Sequence, residues 1–123
     1  MTHRTVTLPT LDHGEITLPE PSWCIGHEDA PQYRTDVAHE GREQALCLPT
    51  PDGPVVLLTA AMEQRPYTAT ALGTSPFVNV GFGGDWHPTG PAGLDAMANA
   101  LVDQAAVLRT LARQLSAALG GGR

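Results

Sequence analysis

PVVLLTAAME, residues 54–63, is the stretch on which the fold reading turns. It is a run of apolar residues, two of them β-branched at its start, bounded by turn formers, and the Val-Val-Leu-Leu core marks it as a central strand. The segment before it, EQALCL at 43–48, reads as a second strand, and Pro49-Thr50-Pro51-Asp52-Gly53 between them has the chemistry of a turn. Downstream, PYTATAL at 66–72 alternates weakly. FVNVGF at 77–82 then places Val78, Val80 and Phe82 on one face, the better candidate for the core, and Phe77, Asn79 and Gly81 on the other. Upstream, TVTL at 5–8 and EITL at 15–18 alternate around Asp12-His13-Gly14, which predicts a short hairpin.

A different period begins after the breaker-rich WHPTGPAG, where Leu94, Leu101, Leu108 and Leu115 recur every seven residues. Met97 and Leu111 fall between them and Gln104 interrupts them, which predicts one long amphipathic helix over Leu94–Leu119, stopped by Gly120-Gly121-Gly122. Asp85 and Thr89 are its candidate N-caps. The expected architecture is α+β, an antiparallel sheet of four to six short strands with one long C-terminal helix packed across a face. The 123 residues read as a single domain, with the hairpin in 1–19, a metal-binding loop in 20–41, the sheet in 43–82 and the helix in 94–119.

Composition narrows the function classes. Thirteen acids stand against seven basic residues, all arginine, for a formal charge of −6. No run of arginines forms a stripe that would neutralise phosphates, so direct nucleic-acid binding is disfavoured. The N-terminus lacks the apolar core of a secretory signal, and no stretch approaches the roughly 18 apolar residues of a membrane span, so a soluble cytoplasmic protein without membrane attachment is expected. In a reducing compartment Cys24 and Cys47 are expected to be free or metal-bound rather than bridged.

Chemistry concentrates in SWCIGHEDAPQYRTDVAHEG, residues 22–41. From Ile25 to Gly41 it has no sustained period and reads as a loop with room for one helical turn, and a loop of that length needs something to hold it. Cys24, His27 and His39 form C-x2-H-x11-H, supplying the thiolate and imidazole donors that zinc favours. A structural site closes with a fourth donor, for which Glu20, Cys47, His13, His87, Asp36 or a water are open. Trp23 reads as an apolar lid on the site and His87 as a loop histidine. Glu28, Asp29 and Glu40 neighbour the ligands and would supply a base if the fourth position held water. No Ser-His-Asp order, phosphate-cradling loop or dinucleotide fingerprint is present, since GFGGDW has neither the spacing nor the context.

PSWCIGH followed by DVAHEG, a strand-rich middle and an Ala/Leu-rich C-terminal helix together resemble a group of small actinobacterial proteins grouped as a domain of unknown function. Their pattern is Cys-Pro-x-Trp-Cys, a His shortly after and a second His about a dozen residues later. Pro21, Trp23, Cys24, His27 and His39 match it. The resemblance implies the shape of a site and no established activity. Where the pattern has its first cysteine this chain has Glu20, which is on that ground the expected fourth ligand in preference to Cys47.

The leading functional expectation is a small zinc-organised binding or regulatory module with no catalytic activity of its own, carrying one zinc per chain on Cys24, His27, His39 and Glu20. A mononuclear zinc hydrolase using an open coordination position and a metal-free protein-interaction domain are the alternatives. The leucine stripe of the predicted helix is longer than a sheet of five- or six-residue strands is wide, so the chain is expected to self-associate through that helix, with a protein partner as a further possibility.

Overall fold

A computed structural model describes residues 4–120, apart from the side chains of Ala71 and Leu72. The chain forms two compact units, one running to Thr89 and one beginning at Gly90. The first holds a two-stranded hairpin and a five-stranded antiparallel sheet, and the second is a helix, so the fold is α+β.

The hairpin pairs β1 (Thr5–Pro9) with β2 (Glu15–Pro19), Thr5 opposite Pro19 and Pro9 opposite Glu15. Its tip closes through Thr10, whose amide and hydroxyl both donate to the Gly14 carbonyl, with Gly14 in the left-handed region at φ 64°. Alternation in the sequence becomes alternation in burial, with Val6, Leu8, Ile16 and Leu18 turned inward.

The hub of the larger sheet is β5 (Val55–Gln64). Along one of its edges lie β3 (His39–Glu40) and β4 (Gln44–Leu48); along the other lies β6 (Phe77–Phe82), followed by β7 (Asp85–Thr89). The segment from β3 to β5 is in effect one long hairpin about Thr50–Gly53, whose ends exchange both backbone hydrogen bonds. A register shift at Leu46/Cys47 and the gap between β3 and β4 interrupt it. Close approach is required where Gly41 donates to the Met62 carbonyl, because a Cβ there would lie 3.1 Å from Met62 Cβ. A single turn, α1 (Ala71–Thr74), connects β5 to β6.

The strand at 54–63 is central in its pairing, as expected, with Val55, Val56 and Leu57 at its exposed end. Two expectations need correction. Phe82, expected in the core, is exposed and stacks on His87 with ring centroids 4.3 Å apart, while Phe77 of the opposite face is buried. Burial is graded along the strands instead of dividing their faces: it deepens toward the end of β5, where Glu63 opposes Phe77, and fades toward the Gly83-Gly84 turn. Second, the stretch DWHPT carries β7, which pairs with β6 with Gly81 opposite Trp86. Pro88 tolerates this because it lies on a terminal strand of the sheet, where one edge makes no ladder bonds.

The helix, α2 (Pro91–Gly120), begins three residues earlier than the leucine period indicates. Pro91 stands in its first turn, where a missing amide hydrogen costs nothing, and the Leu94 amide donates to the Gly90 carbonyl. Thr89 is not its cap; its hydroxyl donates to the His87 carbonyl. No residue of α2 is buried, and Gly121 and Gly122, read as its stop, lie outside the described residues.

The buried apolar side chains among the described residues are Leu18, Cys24, Val37, Phe77 and Val80. Val80 is the largest apolar side chain that is fully enclosed. Val80→Ala should lower unfolding free energy by about 2 kcal/mol and the melting temperature by roughly 10 °C, whereas Val55→Ala, at an exposed position, should change it by less than about 0.5 kcal/mol. Urea denaturation of the two variants checks this; equal losses would contradict the burial gradient.

Candidate metal centre

Glu20 follows the last residue of β2, and its amide donates to the Arg4 carbonyl, so the hairpin ladder runs one step further and carries the carboxylate to a defined place. Pro21 to Cys24 then form a tight turn closed by the Cys24 amide on the Pro21 carbonyl. Gly26, at φ 113°, redirects the chain after Ile25. The Ile25 amide donates to the Glu40 carbonyl, which ties this loop to β3. His39 itself is a strand residue, paired with Gln64 at the deeper end of β5.

The remainder of the loop is strapped to the hairpin tip. The Leu11 amide donates to the Gln32 carbonyl, and the Arg34 amide donates to Asp12 Oδ1 at 2.9 Å. A 3-10 turn at Arg34–Asp36 and the buried Val37 complete the path to β3. The expected single helical turn is thus present.

These constraints bring Glu20, Cys24, His27 and His39 together, one donor atom of each lying within 4.8 Å of all the others. Glu20 Oε1 is 3.0 Å from His27 Nε2 and 2.7 Å from His39 Nδ1, and Cys24 Sγ is 3.6 Å from His27 Nε2. His39 is 1% exposed and Cys24 7%. A group of this size and composition can bind a metal ion. The donor–donor edge of a tetrahedral ion with nitrogen and sulfur ligands is about 3.3–3.8 Å, inside the observed spread.

One atom tests the fit. His39 Nδ1 is buried and has no hydrogen-bond partner, although Glu20 Oε1 is its near neighbour. The oxygen lies off the direction in which a ring N–H would point. Two donors converging on a shared point, and not on each other, give that geometry, and a buried nitrogen without a partner is costly unless something else satisfies it.

Charge follows from the same crowding. Burial pushes the Glu20 carboxyl up, but the hydrogen bonds from His27 and Cys24 outweigh it and hold the group below its ordinary value. Burial pushes the Cys24 thiol up, with the Glu20 carboxylate adding to it, and burial holds His39 below the usual imidazole range. The result is an ionised carboxylate, a neutral His39 and a thiol whose proton a cation would displace.

The other residues considered from the sequence lie elsewhere. Cys47 is exposed on β4, His13 pairs with Asp12 at the hairpin tip at 3.0 Å, His87 stacks on Phe82, and Asp36 closes the 3-10 turn. Glu28, Asp29 and Glu40 are exposed. Trp23 meets the His39 ring edge-on at 6.4 Å, and the two imidazoles meet at 5.3 Å, so an aromatic wall flanks the donors.

Residues 5–117 match the profile of a Domain of unknown function (DUF6907). The chain belongs to that family. No curated protein and no solved structure matches it. Among the described residues no helix is long and apolar enough to cross a membrane.

Proposed function

We propose that the first unit of this DUF6907 chain is a zinc-organised binding or regulatory module, without catalytic activity of its own, in which Glu20, Cys24, His27 and His39 hold one zinc ion. The single observation that carries this reading is the mutual approach of four donors, all within 4.8 Å, from the end of the hairpin, the loop after it and the edge strand of the larger sheet. Structural zinc sites are closed by four protein ligands, whereas catalytic ones keep a position for water. A carboxylate in the set is consistent with zinc, which takes oxygen at about the same distance as imidazole nitrogen, and the thiolate argues against magnesium or calcium.

The hydrolase reading has one feature on its side. A cavity of about 780 Å³, lined by Arg4, Ser22, Gln64 and Tyr67 together with Glu20 and His39, opens beside the donors. It would need water in place of one protein ligand. The closed reading leaves no such position, so the two differ in how the ion responds to small anions.

Protein purified without an affinity tag should contain about one zinc per chain, and Cys24→Ser should lose it, with the melting temperature falling by about 10 °C or more. The cobalt-substituted protein should show tetrahedral bands that azide leaves unchanged. Full zinc retention by Cys24→Ser would overturn the ligand set, and an azide-sensitive spectrum would favour the hydrolase.

The second unit is proposed to join two copies of the chain. Leu101, Leu108, Leu111 and Leu115 all expose more than two fifths of their surface along one stripe of α2. At 30 residues the helix is about 45 Å long, and burying each leucine is favourable by up to ~2 kcal/mol before association costs. Gln104 in the stripe would set register as single polar positions do in coiled coils. Sedimentation at micromolar concentration should give a dimer that Leu108→Asp dissociates; a monomer unaffected by that change would contradict it.

A further inference from the structure

Arg4 and Glu20 face each other across the open end of the hairpin. The Glu20 amide donates to the Arg4 carbonyl one step beyond the pairing of Thr5 with Pro19, so the two are cross-strand neighbours whose side chains leave on one face. The period of two puts Arg4 with Val6 and Leu8, and Glu20 with Ile16 and Leu18, which is the inward face. Opposite charges so placed attract, and an ion pair between them is expected. None forms: Glu20 Oε1 lies 3.0 Å from His27 Nε2 and 2.7 Å from His39 Nδ1, and no ion pair among the described residues includes Arg4.

Both residues line the cavity of about 780 Å³ beside the metal donors, in which Arg4 is the only arginine and Glu20 the only acid. The inference rests on the zinc reading at this point. Two positive charges of the ion are balanced by the Glu20 carboxylate and the Cys24 thiolate, which leaves Arg4 as an uncompensated cation in a chain whose formal charge is −6.

The remaining wall is largely apolar. Leu18, 3% exposed, lines it together with Pro19, Pro21, Pro66 and Tyr67. Tyr67 is held from another segment by Arg34, whose guanidinium carbon lies 5.2 Å from its ring centroid. A single guanidinium matches a single carboxylate, which takes two parallel N–H donors, whereas a phosphate dianion would keep a charge that nothing else in the cavity offsets. A space of this size with apolar walls and one placed charge is the common form of a small-molecule site.

We propose that this cavity binds a small free organic acid, with its carboxylate on the Arg4 guanidinium and its apolar body against Pro21, Pro66 and Tyr67, and with no bond to the metal. The four protein ligands keep the ion closed, so the acid is recognised beside the metal and not by it.

The test is a two-dimensional NMR titration of the full chain as purified, with zinc measured on the same sample. Benzoate is the probe; benzamide keeps its shape and removes the charge, and acetate keeps the charge and removes the apolar body. Saturable shifts of the Tyr67 ring and Leu18 methyl signals are expected with benzoate. Binding should be at least tenfold weaker with benzamide, with acetate, and for Arg4→Gln, an exposed position that leaves folding intact. Arg42→Gln, the same change of charge outside the cavity, should alter it less than twofold. Bands of the cobalt-substituted protein should stay in place when benzoate saturates it. Benzamide binding as well as benzoate, undiminished binding by Arg4→Gln, a moved cobalt band, or no saturable shift in zinc-containing protein would overturn this inference alone. A five-residue peptide ending in phenylalanine that binds tenfold tighter than benzoate would replace the free acid with a protein C-terminus. Protein purified without zinc would overturn the zinc reading and this inference with it.

Discussion

Convergence of Glu20, Cys24, His27 and His39 on one point is the constraint on which the first unit depends. Glu20 belongs to the hairpin, Cys24 and His27 to the loop, and His39 to the edge of the larger sheet, so the donors are where three parts of the unit are joined. Direct attraction among these side chains is a poor fastener. A carboxylate facing two imidazoles and a buried thiol leaves at least one nitrogen without a partner, and burying such groups is unfavourable unless each is satisfied. A bound cation, as proposed, satisfies all four with one ion.

The need for such a fastener follows from how little apolar surface the unit encloses. Its buried apolar side chains among the described residues are few, one of them is Cys24, and of the two fully enclosed side chains one is His39. Small domains with thin cores are commonly held by disulfides or metals. Both cysteines are free, and the proposed metal would supply the cross-link that a disulfide does not. Binding energy at such a site is folding energy, because the unfolded chain has no preformed site. The pairing of His39 at the deep end of β5 and the Ile25 amide on the Glu40 carbonyl join the donors to the larger sheet.

Much of this was legible in the sequence, and the failures have physical causes. The hairpin, the long helix and the β4–β5 turn follow from local alternation, heptad spacing and turn residues, which act over a few positions. Phe82 was misplaced because periodicity reports which side of a strand a residue occupies, not how far the unit extends over it. The strand in DWHPT was hidden by Pro88, acceptable only because β7 is terminal, a fact of topology that no local pattern carries. Cys24, His27 and His39 could be grouped by residue type, and Glu20 by its place before PSWC, while the approach of Glu20 to both imidazoles required the fold.

The claim that one ion binds these three segments together is tested most directly by X-ray absorption at the zinc edge, on protein purified without a tag. The account predicts a four-coordinate ion with one sulfur at about 2.3 Å and three nitrogen or oxygen neighbours at about 2.0–2.2 Å, the shell that Glu20, Cys24, His27 and His39 would supply. A shell with two sulfurs, one with none, or a six-coordinate ion surrounded only by oxygen and nitrogen would contradict it.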